Sequence, residues 1–268
     1  MMDFLKRELA PLTDVAWHYI EQEAVRALSA NLSDRRVVDV TEPKGFDFSA
    51  VNLGYLEPSH QVTDGVHYGV RRVLPLVEVR VPIELDIWTL DNLARGAASV
   101  DTESVTQAAL KLAHFEERAV YAGFAPAGIQ GLDGALSNRA ADLGQEVAGF
   151  SDVVARAVLM LNDRGVQGPF AVVLGSKPFR LLHSSQSADP PREQIAKVLG
   201  GPILHSAVLQ GGFVFSLRGG DFELVLGQDA SLGYDWHDRD KVHLYLTESF
   251  TFRVLGPEAG VPLIYAQP

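Results

Sequence analysis

Hydrophobic residues recur at helical spacing in several separate segments of the chain. Between Thr13 and Ser29 they fall three or four positions apart and charged residues take the opposite side. The same pattern opens at Asp101 or Thr102 and runs to about Tyr121, and it returns between Ser151 and Gly165 and, more briefly, from Arg192 to Leu199. The pattern predicts four helices. The second would be about 30 Å long at about 1.5 Å per residue, long enough to cross the molecule as a spine.

Strict alternation marks the segment from Leu76 to Trp88. Its odd-numbered positions through Ile87 are apolar, whereas its even-numbered positions are mostly charged, and Trp88 ends the run on the polar side. Pro82 lies on the polar face and has no N–H to donate, which indicates an edge strand or a break between two strands.

An extended two-stranded arm is predicted just before this strand. Thr63-Asp64-Gly65 has the composition of a turn, and the runs Ser49–Leu56 and Val66–Val73 flank it. Further strands are predicted at residues 170–174, 203–209, 213–217, 222–226 and 241–255. Helices and antiparallel strands are thus separate along the chain, an α+β arrangement. A cluster of glycines between Gly123 and Gly134 indicates a domain boundary or a long functional loop.

Composition narrows the classes of function. The chain has 268 residues, and 34 acidic against 23 basic residues give a net charge of −11, which argues against a protein that mainly holds nucleic acid. It has no cysteine, which excludes disulfides, thiol nucleophiles and thiolate metal sites. No apolar run approaches the roughly 20 residues of a membrane span, and the first residues are too charged for a secretory signal, so we expect a cytoplasmic protein without a membrane partner.

No segment shows a convincing catalytic pattern. His114-Phe115-Glu116-Glu117 lacks the second histidine of a zinc-protease helix, and its two carboxylates are expected on the solvated side of the spine helix. Gly175-Ser176-Lys177 has the composition of a phosphate loop in the wrong order. An acidic and histidine-rich cluster could bind a divalent metal, but a plain solvated turn is the favoured interpretation; it comprises Asp235, His237, Asp238, Asp240 and His243.

Several blocks spread over nearly the whole chain resemble the encapsulin shell proteins. They are FLKRELAPLTDVAW at 4–17, RRVVDV at 35–40, PLVEVRVPIELDIWTLDNLARG at 75–96, RGGDFELVLGQDASLGY at 218–234 and LYLTESFTF at 244–252. The resemblance implies the α+β fold of the major capsid proteins of tailed phages (HK97-type). It also implies a division into an N-terminal helix with the start of a peripheral domain (1–47), an extended E-loop (48–70), the peripheral domain with its spine helix (71–127), an axial domain (128–226) and a return to the peripheral domain (227–268).

The same resemblance implies a function that is not enzymatic. Such subunits close into an icosahedral shell, here expected to be the smallest one, and enclose a cargo protein that carries a terminal targeting peptide. A dye-decolourising peroxidase or a ferritin-like iron protein is the expected cargo, inside a cytoplasmic nanocompartment. Two alternatives stay open: a phage-type major capsid protein that encloses DNA, and a hydrolase or bacteriocin-like protein.

By resemblance, the targeting peptide docks in a groove between the first helix and the peripheral domain. Ala24 and Leu28 would take its apolar side chains, and Arg35 with Asp39 would fix its register. The alternative is that Arg35 and Asp39 pair with each other on one strand face.

Some encapsulins bind a flavin at a subunit interface, and the resemblance assigns it here to Trp88 for stacking and Arg80 for the phosphate. Eight positions of straight strand span about 26 Å, so these residues could meet one FMN-like flavin only from different subunits or across a bend at Pro82. Pro82 replaces a hydroxyl-bearing residue, which puts one phosphate contact in doubt. No metal and no required cofactor are expected.

Overall fold

The computed structural model describes residues 4–184 and 190–265, with all side chains in these ranges except those of residues 59–63. The helices are α1 Asp14–Asn31, α2 Ile87–Ala94, α3 Glu103–Tyr121, α4 Gly131–Ala135, α5 Phe150–Asp163, α6 Ser176–Ser184 and α7 Pro191–Leu199. The strands are β1 Asp39–Val40, β2 Ala50–Thr63, β3 Val66–Pro75, β4 Val77–Asp86, β5 Ala141–Asp142, β6 Phe170–Gly175, β7 Ile203–Ser206, β8 Gly212–Ser216, β9 Phe222–Leu226, β10 Ser231–His237, β11 Lys241–Val254 and β12 Gly260–Ile264.

Strand β11 organises the first sheet. It pairs antiparallel with β4 along one side, and with β10 and then β9 along the other, while the short β1 adds parallel to β9. In the described residues β4 pairs with β11 alone, which confirms the edge strand indicated by Pro82. Val81, Ile83 and Leu85 are buried on one face of β4 and the residues between them are exposed, as the alternation predicted.

The second sheet has the order β5-β12-β8-β6-β7, and every residue of its strand β6 is buried. Helix α3 connects the cores of the two sheets. Val105 and Leu112 belong to the core that lies against α1 and β4, whereas Val120 and Tyr121 belong to the core around the second sheet. The spine helix inferred from periodicity therefore bridges both halves of the molecule.

The five-segment division stays a prediction, but the sheets place two strands differently from it. β9 lies within the span assigned to the axial domain, yet it pairs with β11 in the first sheet. β12 lies within the span assigned to the peripheral return, yet it pairs with β8 in the second sheet. Hydrogen bonding across the sheets, which local patterns do not reveal, decides these placements.

Strands β2 and β3 form the predicted arm as a separate two-stranded sheet. Asp64 and Gly65 both have positive φ angles, 50° and 79°, as a tight hairpin turn requires. Both strands are longer than predicted, and nearly all of β3 is exposed. The arm therefore buries little surface within its own subunit.

The placement of Trp88 at the end of the strand was wrong. The strand stops at Asp86, whose carboxylate accepts a hydrogen bond of 2.7 Å from the Thr89 amide and caps α2. Trp88 lies in the first turn of that helix. The local cap overrides the alternation because it satisfies an amide that the first helical turn leaves without a partner.

The other predicted helices and most strands are confirmed within a few residues of their bounds. Sequence reasoning did not anticipate α2, α4, α6, β5, β10 or β12. No helix in the described part of the chain has the length and apolar character that crossing a membrane requires.

The glycine-rich segment folds back on the end of α3. Gly123 and Gly131 have φ angles of 93° and 70°, and a Cβ on Gly131 would lie 2.2 Å from the backbone nitrogen of Gly123. Only glycine fits this contact, so these residues are required by a close backbone approach. The segment is a tightly packed connection between the two cores and not a long open loop.

We predict that Gly131→Ala costs more than about 4 kcal/mol of unfolding free energy, because it adds a backbone clash to the strain of positive φ. Gly144→Ala is the matched control, since Gly144 has a φ of 66° with nothing within 4 Å of the added carbon. The control should cost about 1–2 kcal/mol. Urea unfolding of both variants measures the difference, and equal losses would contradict the packing argument.

Candidate functional site

A groove of about 270 Å³ runs along the first helix. Its floor is apolar: Ala24 and Leu28 face Leu232 of β10 and Leu246 of β11. These four side chains are buried in the core that α1 shares with the first sheet. The predicted docking residues Ala24 and Leu28 therefore lie together on the floor of one open groove.

The N-terminal segment forms the opposite wall. The amide of Tyr234 donates a hydrogen bond of 2.8 Å to the carbonyl of Leu5, which holds this segment along the edge of β10. Arg7 bridges back to Glu21 of α1 with an ion pair of 2.6 Å. Val25, on the exposed side of α1, completes the rim. Sequence reasoning missed these lining residues, since only the pairing of the N-terminal segment with β10 brings them together.

Arg35 and Asp39 do not lie in this groove. Arg35 sits in a single 3₁₀ turn, Asp34–Arg36, and its guanidinium binds Glu116, Asp229 and Glu248. Asp39 instead accepts a hydrogen bond of 2.6 Å from the Gly220 amide. The alternative that Arg35 and Asp39 pair on one strand face is therefore wrong, because each has other partners and Arg35 is not in a strand.

The expectation that Glu116 and Glu117 face solvent was also wrong, since both are fully buried. Arg35 binds both oxygens of Glu116, at 2.8 and 2.6 Å. Glu117 accepts hydrogen bonds from the Ser33 amide at 3.0 Å and from the Ser206 hydroxyl at 2.8 Å. Burial raises the pKa of Glu117, and the hydrogen bonds from the two serines oppose that rise. These partners are more than 80 residues distant in sequence, so helical periodicity could not identify them.

Arg80 and Trp88 do not form one site within a subunit. The Arg80 guanidinium lies over the rings of Tyr245 and Phe4, at 4.6 and 5.2 Å. Trp88 is 67% exposed on α2. The six strand steps from Arg80 to Asp86 alone span about 20 Å.

The candidate metal cluster is dispersed along two strands. The His237 ring shares a hydrogen bond of 2.6 Å with the Tyr234 hydroxyl, and His243 stacks on Trp236 at 3.8 Å. Asp238 accepts from two backbone amides in the turn that follows β10, and these bonds lower its pKa. Within the described ranges, no group of three or more histidine and carboxylate side chains is arranged to hold a metal ion. The turn interpretation is confirmed for Asp238, whereas His237 and His243 lie in strands.

A serine–histidine pair lies at the edge of the second sheet. Ser176 Oγ and His205 Nε2 are 2.9 Å apart, and both residues are exposed. Partial burial lowers the pKa of His205. A serine nucleophile also needs a third group that orients the histidine. In the described part of the chain, no carboxylate makes a hydrogen bond to His205, so this pair lacks the geometry of a triad.

Exposed apolar side chains lie along one face of the arm, beside the ion pair of Arg72 with Glu57. Val66, Tyr68 and Val70 alternate along β3 and therefore share one side of the hairpin. All three are exposed, Val70 to 63%. An exposed apolar face on a separate two-stranded sheet is typical of a surface that another chain covers.

Comparison with known proteins gives a family match over nearly the whole chain. The family model described as "Encapsulating protein for peroxidase" matches residues 2–251. A type 1 encapsulin shell protein of Rhodospirillum rubrum is 42% identical over 98% of this chain and 96% of its own length. One of Mycolicibacterium paratuberculosis is 41% identical over 98% of this chain and 99% of its own.

Solved structures agree on the fold. A virus-like particle from Pyrococcus furiosus superposes with a TM-score of 0.64 at 16% identity, over 91% of this chain and 98% of that one. A Gordonia phage chain superposes with a TM-score of 0.54 at 13% identity, over 89% of this chain and 87% of its own. The α+β capsid fold expected from the sequence is confirmed.

Proposed function

The chain belongs to the encapsulin shell proteins, and we propose from this premise that its subunits close into the smallest icosahedral shell around a cargo protein that docks in the α1 groove. It is a shell subunit of a nanocompartment, as its relatives are. The observation that carries the rest of the proposal is the arm, a separate sheet with an uncovered apolar face.

A hairpin of two strands is at best marginally stable alone in water. Covering its apolar face with a neighbouring subunit would stabilise both the hairpin and the contact. If every subunit lays its arm on the next one around symmetry axes, the assembly closes and offers no free arm for further growth. The arm thus supplies a physical reason for assembly, independent of sequence similarity.

Cargo docking is supported by the groove, which has an apolar floor and a charged rim. Ala24 and Leu28 on its floor would receive apolar side chains of a targeting peptide, the role predicted for them. Arg35 and Asp39 lie elsewhere, so we assign the rim to the Arg7–Glu21 ion pair instead. The description of the family model names a peroxidase, which favours the dye-decolourising peroxidase expected here over a ferritin-like protein as cargo.

We further propose that the shell has no catalytic activity of its own and resides in the cytoplasm. The Ser176–His205 pair without an orienting carboxylate gives little support to the hydrolase alternative. The excess of acidic residues disfavours DNA as the enclosed material. Nucleic-acid absorbance in purified particles would distinguish a DNA-filled capsid from a protein-filled shell.

Flavin binding is proposed only across a subunit boundary. The exposed indole of Trp88 suits stacking on a flat aromatic ring, and Arg80 of another subunit would supply positive charge. When bound, an FMN-like flavin would supply one- or two-electron transfer.

The arm predicts a defect of assembly without a defect of folding. Tyr68→Asp combined with Val70→Asp should prevent particle formation because it charges the face that a neighbour covers. Circular dichroism should stay native because both side chains are exposed. His67→Asp with Arg71→Asp, on the opposite face, is the control and should still assemble. Light scattering measures particle size. Normal particles from the first variant would contradict the role of the arm.

The groove predicts a specific loss of cargo. Val25→Glu should reduce loading at least about tenfold, because it replaces the one apolar side chain assigned to the rim with a charge beside the apolar floor of the groove. Val15→Glu is the matched control, since Val15 is 56% and Val25 61% exposed on the same helix and only Val25 lines the groove. Co-purification of a co-expressed dye-decolourising peroxidase from the same organism gives the readout. Equal loading of both variants would argue against this docking site.

The flavin assignment predicts that Trp88→Ala lowers the flavin retained per particle about tenfold. Trp236→Ala, which removes another exposed indole, is the control. Flavin fluorescence released from particles soaked in FMN measures the content. A wild-type particle that retains no FMN, or a Trp88→Ala particle that retains as much as the control, would reject the assignment.

A further inference from the structure

Four carboxyl groups are fully buried around a single cation. Asp34, Glu116, Glu117 and Glu248 have no solvent-exposed surface, and Arg35 lies among them. These residues come from three parts of the fold. Asp34 and Arg35 lie in the 3₁₀ turn after α1, Glu116 and Glu117 lie in α3, and Glu248 lies in β11. We call these five residues the acid cluster. If all four carboxyls were ionised, one guanidinium could not balance them.

The contacts within the acid cluster are unequal. Arg35 binds both oxygens of Glu116, one oxygen of Glu248 and one of Asp229, so its single positive charge is shared among three carboxyls. Within the described residues, neither oxygen of Asp34 receives a hydrogen bond, and one oxygen of Glu248 also lacks a donor. Arg35 Nη2 donates to both Glu116 and Glu248, so these two carboxyls lie side by side, and the charge of Glu116 also acts on Asp34. Buried carboxyls this close need a proton among them, because ionised oxygens only accept and like charges disfavour ionisation.

Electrostatics agrees with this geometry. Burial, and next the charge of Glu116, raise the pKa of Asp34 well above its ordinary value. Burial likewise raises the pKa of Glu248, again with Glu116 as the next cause. The other ionisable groups that act on the acid cluster are Tyr121, which burial keeps neutral, and Asp229, which is half exposed and bound to Arg35.

We propose that the acid cluster is a proton-binding site in which Asp34 and Glu248 each donate a proton to Glu116, and that these protons fasten the turn after α1 to the spine helix and to β11. The site would act as an alkaline-sensitive lock of the folded subunit. Proton loss would leave unbalanced negative charge in the core and push the turn at residues 34–36 away from α3.

Hydrogen bonds connect the acid cluster to the residues around it. Ser33, next to Asp34, holds Glu117, which also binds Ser206 at the end of β7 in the second sheet. Loosening the turn would therefore weaken the attachment of α1, which forms the groove, and the contact between the two sheets. This consequence does not depend on which cargo the shell encloses.

The direction of the pH dependence follows from the raised pKa values in the folded state. Below the ordinary carboxyl pKa of about 4, both the folded and the unfolded chain hold these protons, and the stabilisation is fully present. It is lost as the pH rises through the raised folded-state pKa values, because the unfolded chain then releases protons that the folded chain must keep.

Asp34→Asn tests the lock. The amide has the size of the carboxyl and offers a permanent N–H to Glu116, so it mimics the protonated form. Asp163→Asn removes the same charge at an exposed position of α5 and serves as the control. Urea midpoints of purified particles are compared at about pH 5 and about pH 9, where each unit of pKa shift is worth a tenfold change in the folded-to-unfolded ratio.

We expect wild type and control to lose stability between these pH values and Asp34→Asn to retain at least about tenfold more of its folded-to-unfolded ratio. The proposal is overturned if Asp34→Asn follows the control, or if it loses stability equally at both pH values.

Infrared spectroscopy of the folded wild type gives a second test that needs no variant. An absorption from protonated carboxyl groups at neutral pH is expected, and its absence would reject the site. Glu248→Gln should weaken this absorption and replaces Asp34→Asn if that variant does not fold.

Discussion

The buried apolar side chains of this chain lie mainly in two cores within the subunit. The arm is different, because many of its apolar side chains stay exposed. The first core fills the space between α1, α3 and β4, and the second surrounds β6 and β8. The hairpin of β2 and β3 pairs with neither sheet. Its apolar side must be covered from outside the subunit, and this requirement gives a folded monomer a reason to assemble.

Within the subunit, the two cores are joined by α3, which carries two buried glutamates between them. The helix packs apolar side chains in both cores, and between them it carries Glu116 and Glu117 into the interior. Burying an unbalanced group of carboxyls costs several kcal/mol per ion unless partners compensate. Arg35 and the two serines provide part of that compensation. The region between the two cores is therefore polar and sensitive to protonation, whereas each core is apolar.

Much of the fold could be predicted from periodicity. The alternation of β4, the stripes of α1 and α3 and the turn at Asp64-Gly65 are local signals, and the structure keeps each of them. Features that depend on distant partners could not be predicted in this way. Trp88 lies in a helix because Asp86 caps the start of that helix. Glu116 of α3 is buried with Arg35 as its partner, and this contact holds Arg35 away from the groove. Helix periodicity predicts the buried side of α1 that forms the apolar floor of the groove, but it does not predict the charged rim.

In a closed shell, the exposed arm of each subunit should be covered by a neighbouring subunit. Cryo-electron microscopy of the purified chain tests this expectation most directly, because one reconstruction shows both the assembly and the surroundings of the hairpin. We expect a closed icosahedral particle in which Tyr68 and Val70 are buried against the adjacent subunit. A monomer under all assembly conditions, or a particle in which this face stays open to solvent, would contradict the account.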